Sequence, residues 1–255
     1  QRHNSELQEE IASVTARQIA TFVNRKLERL VDAAINISLH PVGSKPQQVL
    51  SALLLKNDNG LTEVSILNAD GMEVVKVSAR KLYVVSEFSD QSRSEKFTAA
   101  IRGDTYISAV YTSDKAEPYV TLAVPLKAPS QEIVGVVSAE ANLRSLWEVI
   151  GSVRFGAAGY AYLIDGDGNL IAHKDPSLVL RKTSLRQVPK VRQFVQNPSS
   201  ADPTPGHEGL GIMGELVLST YAPVGGLGWA VVLEEPLDAA LSAVNRSRRD
   251  LLFLL

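Results

Sequence analysis

Residues Ser5–Leu39, SELQEEIASVTARQIATFVNRKLERLVDAAINISL, read as one long amphipathic helix. Ile11, Val14, Ile19, Phe22, Val23, Leu27, Leu30, Val31, Ala34 and Ile35 recur at spacings of three and four, with charged and polar residues between them. At 1.5 Å per residue such a helix reaches roughly 50 Å, more than the diameter of a small domain. It must therefore run past more than one packed unit or stand clear of them. The final segment, 237–255, mirrors it: an amphipathic start, a basic run at Arg246, Arg248 and Arg249, and the ending Leu251-Leu252-Phe253-Leu254-Leu255. A basic cluster followed by an apolar run reads as the entry to a membrane span.

Composition narrows the classes. A chain of 255 residues is long enough for one large domain or two ordinary ones. A formal net charge of −2 gives no basic footprint for nucleic acid. The absence of cysteine removes disulfides, thiol catalysis and thiolate metal sites. No complete run of about 20 apolar residues is present, and no cleavable leader is visible.

Between the two helical ends the chain repeats one grammar. His40-Pro41-Val42-Gly43 breaks the first helix, and a short helix over 46–55 follows, with proline in its first turn. Strands are predicted over 63–68 and 73–78, joined by a turn at Ala69-Asp70-Gly71. A helix over 95–102 closed by Gly103, strands over 106–111, 119–125 and 133–141, and a helix over 143–150 complete the first unit. From Gly156 the order restarts: strands over 160–164 and 170–173 around Asp165-Gly166-Asp167-Gly168, a helix over 185–196, and strands over 209–213, 216–222 and 229–234. The fold class is α+β: a long N-terminal helix and two lobes, each an antiparallel sheet of about five strands flanked by helices. The predicted domains are a spine helix (1–40), a first lobe (41–150), a second lobe (151–236) and a C-terminal helix (237–255).

Three stretches carry a family resemblance. Gly159-Tyr160-Ala161-Tyr162-Leu163-Ile164-Asp165 with Gly168-Asn169-Leu170-Ile171-Ala172-His173-Lys174-Asp175-Pro176 resembles the membrane-proximal lobe of double Cache (tandem PAS-like) sensor domains. Tyr221-Ala222-Pro223-Val224 and Gly228-Trp229-Ala230-Val231-Val232 resemble its closing strand pair, and 119–126 with 134–140 resembles the end of the distal lobe. The resemblance implies the extracytoplasmic part of a prokaryotic receptor such as a sensor histidine kinase or chemoreceptor. It also implies a small-molecule site in the distal lobe, relay through the terminal helix, and dimerisation along the first helix. Amino-acid-binding members carry an aromatic, then Arg-x-Trp-Tyr, a strand tyrosine and a final aspartate. Phe88, Arg93, Phe97 and Tyr111 match that order, Glu95 or Lys96 stands at the tryptophan, and Glu140 replaces the aspartate.

Alternation places Ile107, Ala109 and Tyr111 on one strand face, and Val136, Ser138 and Glu140 on one face of another. An inward carboxylate at Glu140 needs a cationic partner, either a ligand amine or a protein base. Arg93 and Lys96 offer fixed positive charge to a ligand carboxylate. Tyr111 offers a hydroxyl and Phe97 an apolar wall. The candidate ligand residues are thus Arg93, Lys96, Phe97, Ala109, Tyr111, Ser138 and Glu140, for an amino acid, organic acid or amine. Three of them also have an ordinary structural role open: a surface position or an internal ion pair with Arg93 or Lys96 for Glu140, core packing for Phe97, strand packing for Tyr111.

Other patterns lack their context. The glycines of Gly209-Leu210-Gly211-Ile212-Met213-Gly214 precede a strand, not the helix that a dinucleotide site needs. Asp165, Asp167 and Asn169 begin like a calcium loop, but Leu170 and Pro176 stand where glycine and glutamate are required. His3, His40, His173 and His207 are dispersed, so no metal site, cofactor or catalytic centre is read. The competing reading is a non-ligand-binding structural or protein-interaction module of the same receptor class.

Overall fold

The computed structural model describes residues 2–113, 117–181, 184–198 and 204–240. The basic and apolar part of the 237–255 segment lies outside the described residues; Leu237–Ala240 are helical. Helix α1 spans Arg2–Ser38. Its buried line is Ala12, Ala16, Ile19, Val23, Leu30, Ala34 and Ile37, while Val14, Val31 and Ile35 are exposed. The predicted apolar face is therefore too wide: small alanines carry the close packing, and several larger β-branched residues stay in solvent.

The chain forms two compact units, one of 22–143 and one of 1–21 with 144–255. Helix α1 contributes to both, and the helix after Asn142 groups with the second unit, whereas the sequence placed it in the first lobe.

In the unit 22–143, α2 (Lys45–Asn57) is followed by β1 (Leu61–Asn68), β2 (Glu73–Ser78), α3 (Glu95–Ala100), β3 (Tyr106–Ile107), β4 (Tyr111–Thr112), β5 (Pro118–Lys127) and β6 (Ile133–Asn142). The antiparallel sheet has the order β2-β1-β6-β5-β3, with β4 also on β5. One face carries the buried Ile66, Leu122, Val124, Val137 and Ala139. The opposite face packs Leu67, Ala123 and Val136 under Phe97 and Ala100 of α3. A buried cluster anchors α1: Asp58 accepts from Lys26 Nζ at 2.6 Å, Arg29 Nη1 at 2.8 Å and the Gly60 N–H at 2.9 Å.

In the second unit, α4 (Arg144–Ser152), β7 (Tyr160–Ile164), β8 (Leu170–His173), α5 (Pro176–Leu180), α6 (Pro189–Gln196), β9 (Thr204–Leu210), β10 (Leu216–Val224) and β11 (Trp229–Pro236) follow in order. The sheet order is β8-β7-β11-β10-β9. Its core joins Tyr162, Leu170, Val191, Phe194, Tyr221 and Val232.

The two β-hairpins that open the lobes use one device. In 68–72 the Asn68 side chain accepts from the Asp70 and Met72 N–H groups, and Gly71 takes φ +85°. In 165–169 the Asp165 side chain accepts from the Asp167 and Asn169 N–H groups, and Gly168 takes φ +79°. A three-residue loop closed by a left-handed glycine fixes the hairpin register. The Asp165 carboxylate is thereby committed within its own turn, to two backbone N–H groups and the Asn169 side-chain amide.

Most boundaries shift by a few residues, and three elements differ in kind from the sequence reading. The predicted strand over 106–111 is two short strands. The strand predicted at 209–213 runs over Thr204–Leu210 instead, and 211–214 is its turn, with Gly214 at φ +80°. Of the predicted helix over 185–196, only Pro189–Gln196 is α-helical, and a separate helix begins at Pro176 behind its Asp175 cap.

Candidate functional site

The face of the first sheet shared with α3 changes character along its strands, from apolar at Val136 to polar at Glu140. Register explains the grouping: Glu140 lies opposite Glu63 of β1 on one side and Thr121 of β5 on the other. Neighbours at one register level share a sheet face, so Glu63, Glu140 and Thr121 form one polar row. The next strand adds Lys76 and Ser78, and β4 lays Tyr111 opposite Tyr119. A cavity of about 340 Å³ opens here, bounded by Glu63, Ser78, Arg80, Tyr83, Tyr111, Tyr119 and Glu140 among others.

Charges in and around the cavity are largely paired. Lys76 Nζ reaches Glu73 at 3.0 Å and Glu63 at 3.5 Å, and lies 4.9 Å from the centre of the Tyr83 ring. The Tyr83 hydroxyl donates to Glu63. Arg80 donates to Glu117 at 2.9 Å and Lys81 pairs with Glu87. Glu117 also accepts from Tyr119 and Asn142, holding the Tyr119 ring in place. The Tyr111 and Tyr119 rings stack 6.0 Å apart at 25°, giving an aromatic wall. Thr121 Oγ1 lies 3.0 and 3.1 Å from the two Glu140 oxygens. Burial pushes the Glu140 carboxyl up to about 7; Lys96 pulls it down, Glu63 pushes it further up and Lys76 pulls it down. Burial and the hydrogen bond to Glu63 also raise the Tyr83 phenol well above its ordinary value, so it stays a donor.

The seven residues singled out from sequence divide sharply. Glu140 and Tyr111 line the cavity. Lys96, half-buried on α3, acts on Glu140 through its charge. Ser138 is buried one register step beneath, between Ser65 and Ala123. Phe97 is core, packed with Leu67, Ala100, Ala123 and Val136. Arg93 is exposed at the start of α3, where its charge acts on Asp90. Ala109 is exposed in the break between β3 and β4.

The shared face predicted for Ile107, Ala109 and Tyr111 does not exist. Ile107 pairs with Leu122 while Tyr111 pairs with Tyr119, a slip of one residue that carries the two side chains to opposite faces. The Ser108 hydroxyl, accepting from the Thr121 N–H, holds the break.

Sequence reasoning missed Glu63, Lys76, Arg80, Tyr83, Tyr119 and Thr121. A signal existed for two of them: Glu63 and Lys76 are charged residues inside β-branched runs, and charges there invite a partner across the sheet.

Comparison with known proteins bears on this geometry. The family model for the Cache domain matches residues 1–244. The chain belongs to the Cache domain family. The methyl-accepting chemotaxis protein McpA of Pseudomonas putida is 30% identical over 154 residues, which is 59% of this chain and 23% of McpA. The chain spans about a quarter of the length of the curated chemotaxis receptors first matched. Among solved structures, the ligand-binding domain of the Pseudomonas aeruginosa amino-acid chemoreceptor PctC, in complex with GABA, superposes with a TM-score of 0.71. It is 18% identical, with 90% of this chain and 98% of that one covered. The ligand-binding domain of PctB from the same species, in complex with L-Arg, gives a TM-score of 0.67 at 22% identity, covering 92% and 96%. The Cache fold read from the sequence, a long helix and two antiparallel-sheet lobes, is thus established. Among the described residues no helix is long and apolar enough to cross a membrane.

Proposed function

We propose that this chain is the extracytoplasmic ligand-sensing part of a transmembrane receptor, a chemoreceptor or sensor histidine kinase, and that its 22–143 lobe binds a small ligand bearing an amine and a carboxylate. The observation that carries this reading is the cavity over Glu63 and Glu140, a carboxylate-floored pocket with a stacked tyrosine wall. Carboxylates and aromatic faces both favour a cationic group. The relatives' complexes support the class, since GABA and L-Arg each carry an amine and a carboxylate.

In this reading the amine sits against Glu140 and Glu63, and Tyr111 and Tyr119 flank the body of the ligand. Lys96 faces its carboxylate; Arg93, exposed beside Asp90, takes no part. Ser138 and Phe97 shape the floor from beneath. The 22–143 lobe is membrane-distal and the second lobe is membrane-proximal. Pairing of two receptors along α1 would complete the unit.

A ligand shifts such a receptor only through unequal affinity for its two states. A thermal-shift screen against amino acids, organic acids and amines tests the reading. An amine-bearing ligand is expected to raise the melting temperature progressively with its concentration, and Glu140→Ala to require at least about tenfold more ligand for the same rise. A screen in which no compound moves the wild-type transition would instead favour the protein-interaction module.

A further inference from the structure

Glu63 and Glu140 are directly opposite on adjacent strands and both face the cavity. Cross-strand partners bring their Cβ atoms within about 5 Å, and like charges at that separation disfavour double ionisation. The donors around them are unequal. Glu63 has the Tyr83 hydroxyl and the Lys76 ammonium. Glu140 has one described donor, the Thr121 hydroxyl, placed between both its oxygens. A hydroxyl carries a single hydrogen, so it satisfies one carboxylate oxygen at a time.

The other charged groups packed around the pair do not remove this imbalance. On β2, Lys76 is shared with Glu73; on the strap after β2, Arg80 is paired with Glu117 and Lys81 with Glu87. From α3, Lys96 acts on Glu140 by its charge, and Tyr111 and Tyr119 present neutral rings.

We propose that Glu63 and Glu140 form one recognition element, which takes the ligand's protonated amine in exchange for a proton held on Glu140. This rests on the ligand-binding reading of the cavity and adds its chemistry. In the empty site, below its midpoint near neutrality, Glu140 is a neutral acid hydrogen-bonded to Thr121. When the ammonium ion enters, the Glu140 O–H proton leaves to solvent, the carboxylate forms the ion pair, and the charges of the ammonium and the new carboxylate cancel. The ligand must therefore carry an amine that is charged at neutral pH, and acid competes with it for the same oxygen.

The test uses the intact chain with GABA, L-arginine and putrescine as probes. Calorimetric titrations in two buffers of different ionisation heat, below and above neutrality, count protons released on binding. Below the Glu140 midpoint nearly one proton per bound probe is expected, with affinity falling about tenfold per pH unit as acid increases. Glu140→Gln, which keeps shape and hydrogen bonding, should bind more weakly at high pH with no proton released and no pH slope. Carbon-detected titration of the Glu140 carboxyl in the ligand-free protein should give a midpoint near neutrality, lowered in Glu63→Gln. Binding with buffer-independent heats and a flat pH profile would overturn the exchange while leaving the ligand site intact, as would a Glu140 carboxyl titrating in the ordinary range. If none of the probes binds, the ligand reading fails, and the exchange fails with it.

Discussion

Glu140 and Glu234 hold the same register position in the two sheets and meet opposite surroundings. Glu140 lies between Glu63 and Thr121; Glu234 lies between Tyr160 and Ser219. Glu234 is fully buried and accepts from the Tyr160 hydroxyl at 2.8 Å, the Tyr162 hydroxyl at 2.6 Å and the Ile212 N–H at 3.0 Å. Three internal donors occupy the oxygens there, whereas at Glu140 the Thr121 hydroxyl is the one described donor and the cavity lies beside it. Its neighbour Glu235 turns to the other face and accepts from Gln8 and the Ala157 N–H, as strand alternation requires. Asp58 shows the structural use of a buried carboxylate. Burial acts to raise it, but the donors from Lys26, Gly60 and Arg29 outweigh this and hold it below the ordinary aspartate range. The sign follows: its stabilisation is fully present above about pH 4 and is lost as pH falls through the depressed folded value. Urea unfolding should show Lys26→Met costing about 3 kcal/mol at neutral pH. The gap between wild type and Asp58→Asn should close as pH falls below about 4. At this scale alternation along an unbroken strand put Glu140 on the cavity face, whereas Arg93 and Ala109 lie outside the cavity lining, because a loop and a bulge obey no period.

The hairpins show what is legible at the level of elements. Asn68-Ala69-Asp70-Gly71 and Asp165-Gly166-Asp167-Gly168 announced themselves through turn chemistry, and β2, β7 and β8 have the predicted limits. The break between β3 and β4 did not, because Tyr106–Tyr111 carries nothing that marks a one-residue slip. Register was likewise hidden: Glu63, Lys76 and Thr121 join Glu140 only through pairing across strands distant in sequence. The glycines of the turns differ in what they tolerate. A Cβ on Gly71 would meet the Ser92 backbone at 2.5 Å, whereas a Cβ on Gly214 meets nothing within 4 Å; both have positive φ. Gly214→Ala should therefore cost only the left-handed backbone term, about 1 kcal/mol. Gly71→Ala should cost at least twice as much, roughly 2–4 kcal/mol, since the backbone around Ser92 must move as well. Denaturant midpoints of the two variants, measured side by side, check this.

For the whole molecule, two sheets of the same strand order share a long helix but not a chemistry. The first opens a charged cavity beside an aromatic pair, and the second fills the equivalent place with Tyr160, Tyr162 and the Ile212 turn. The family pattern on strand ends and hairpins made this architecture readable from sequence, while the candidate site, assembled across five strands and the segment after β2, was readable only in part. The contrast between the lobes sets the most direct test: a calorimetric titration of the ligand selected by thermal shift into wild type, Glu140→Ala and Glu234→Gln. Binding is predicted at one site per chain, weakened at least about tenfold by Glu140→Ala, the scale of one lost charge-assisted contact. Glu234→Gln should leave it unchanged. Affinity that survives Glu140→Ala and falls with Glu234→Gln would contradict the account.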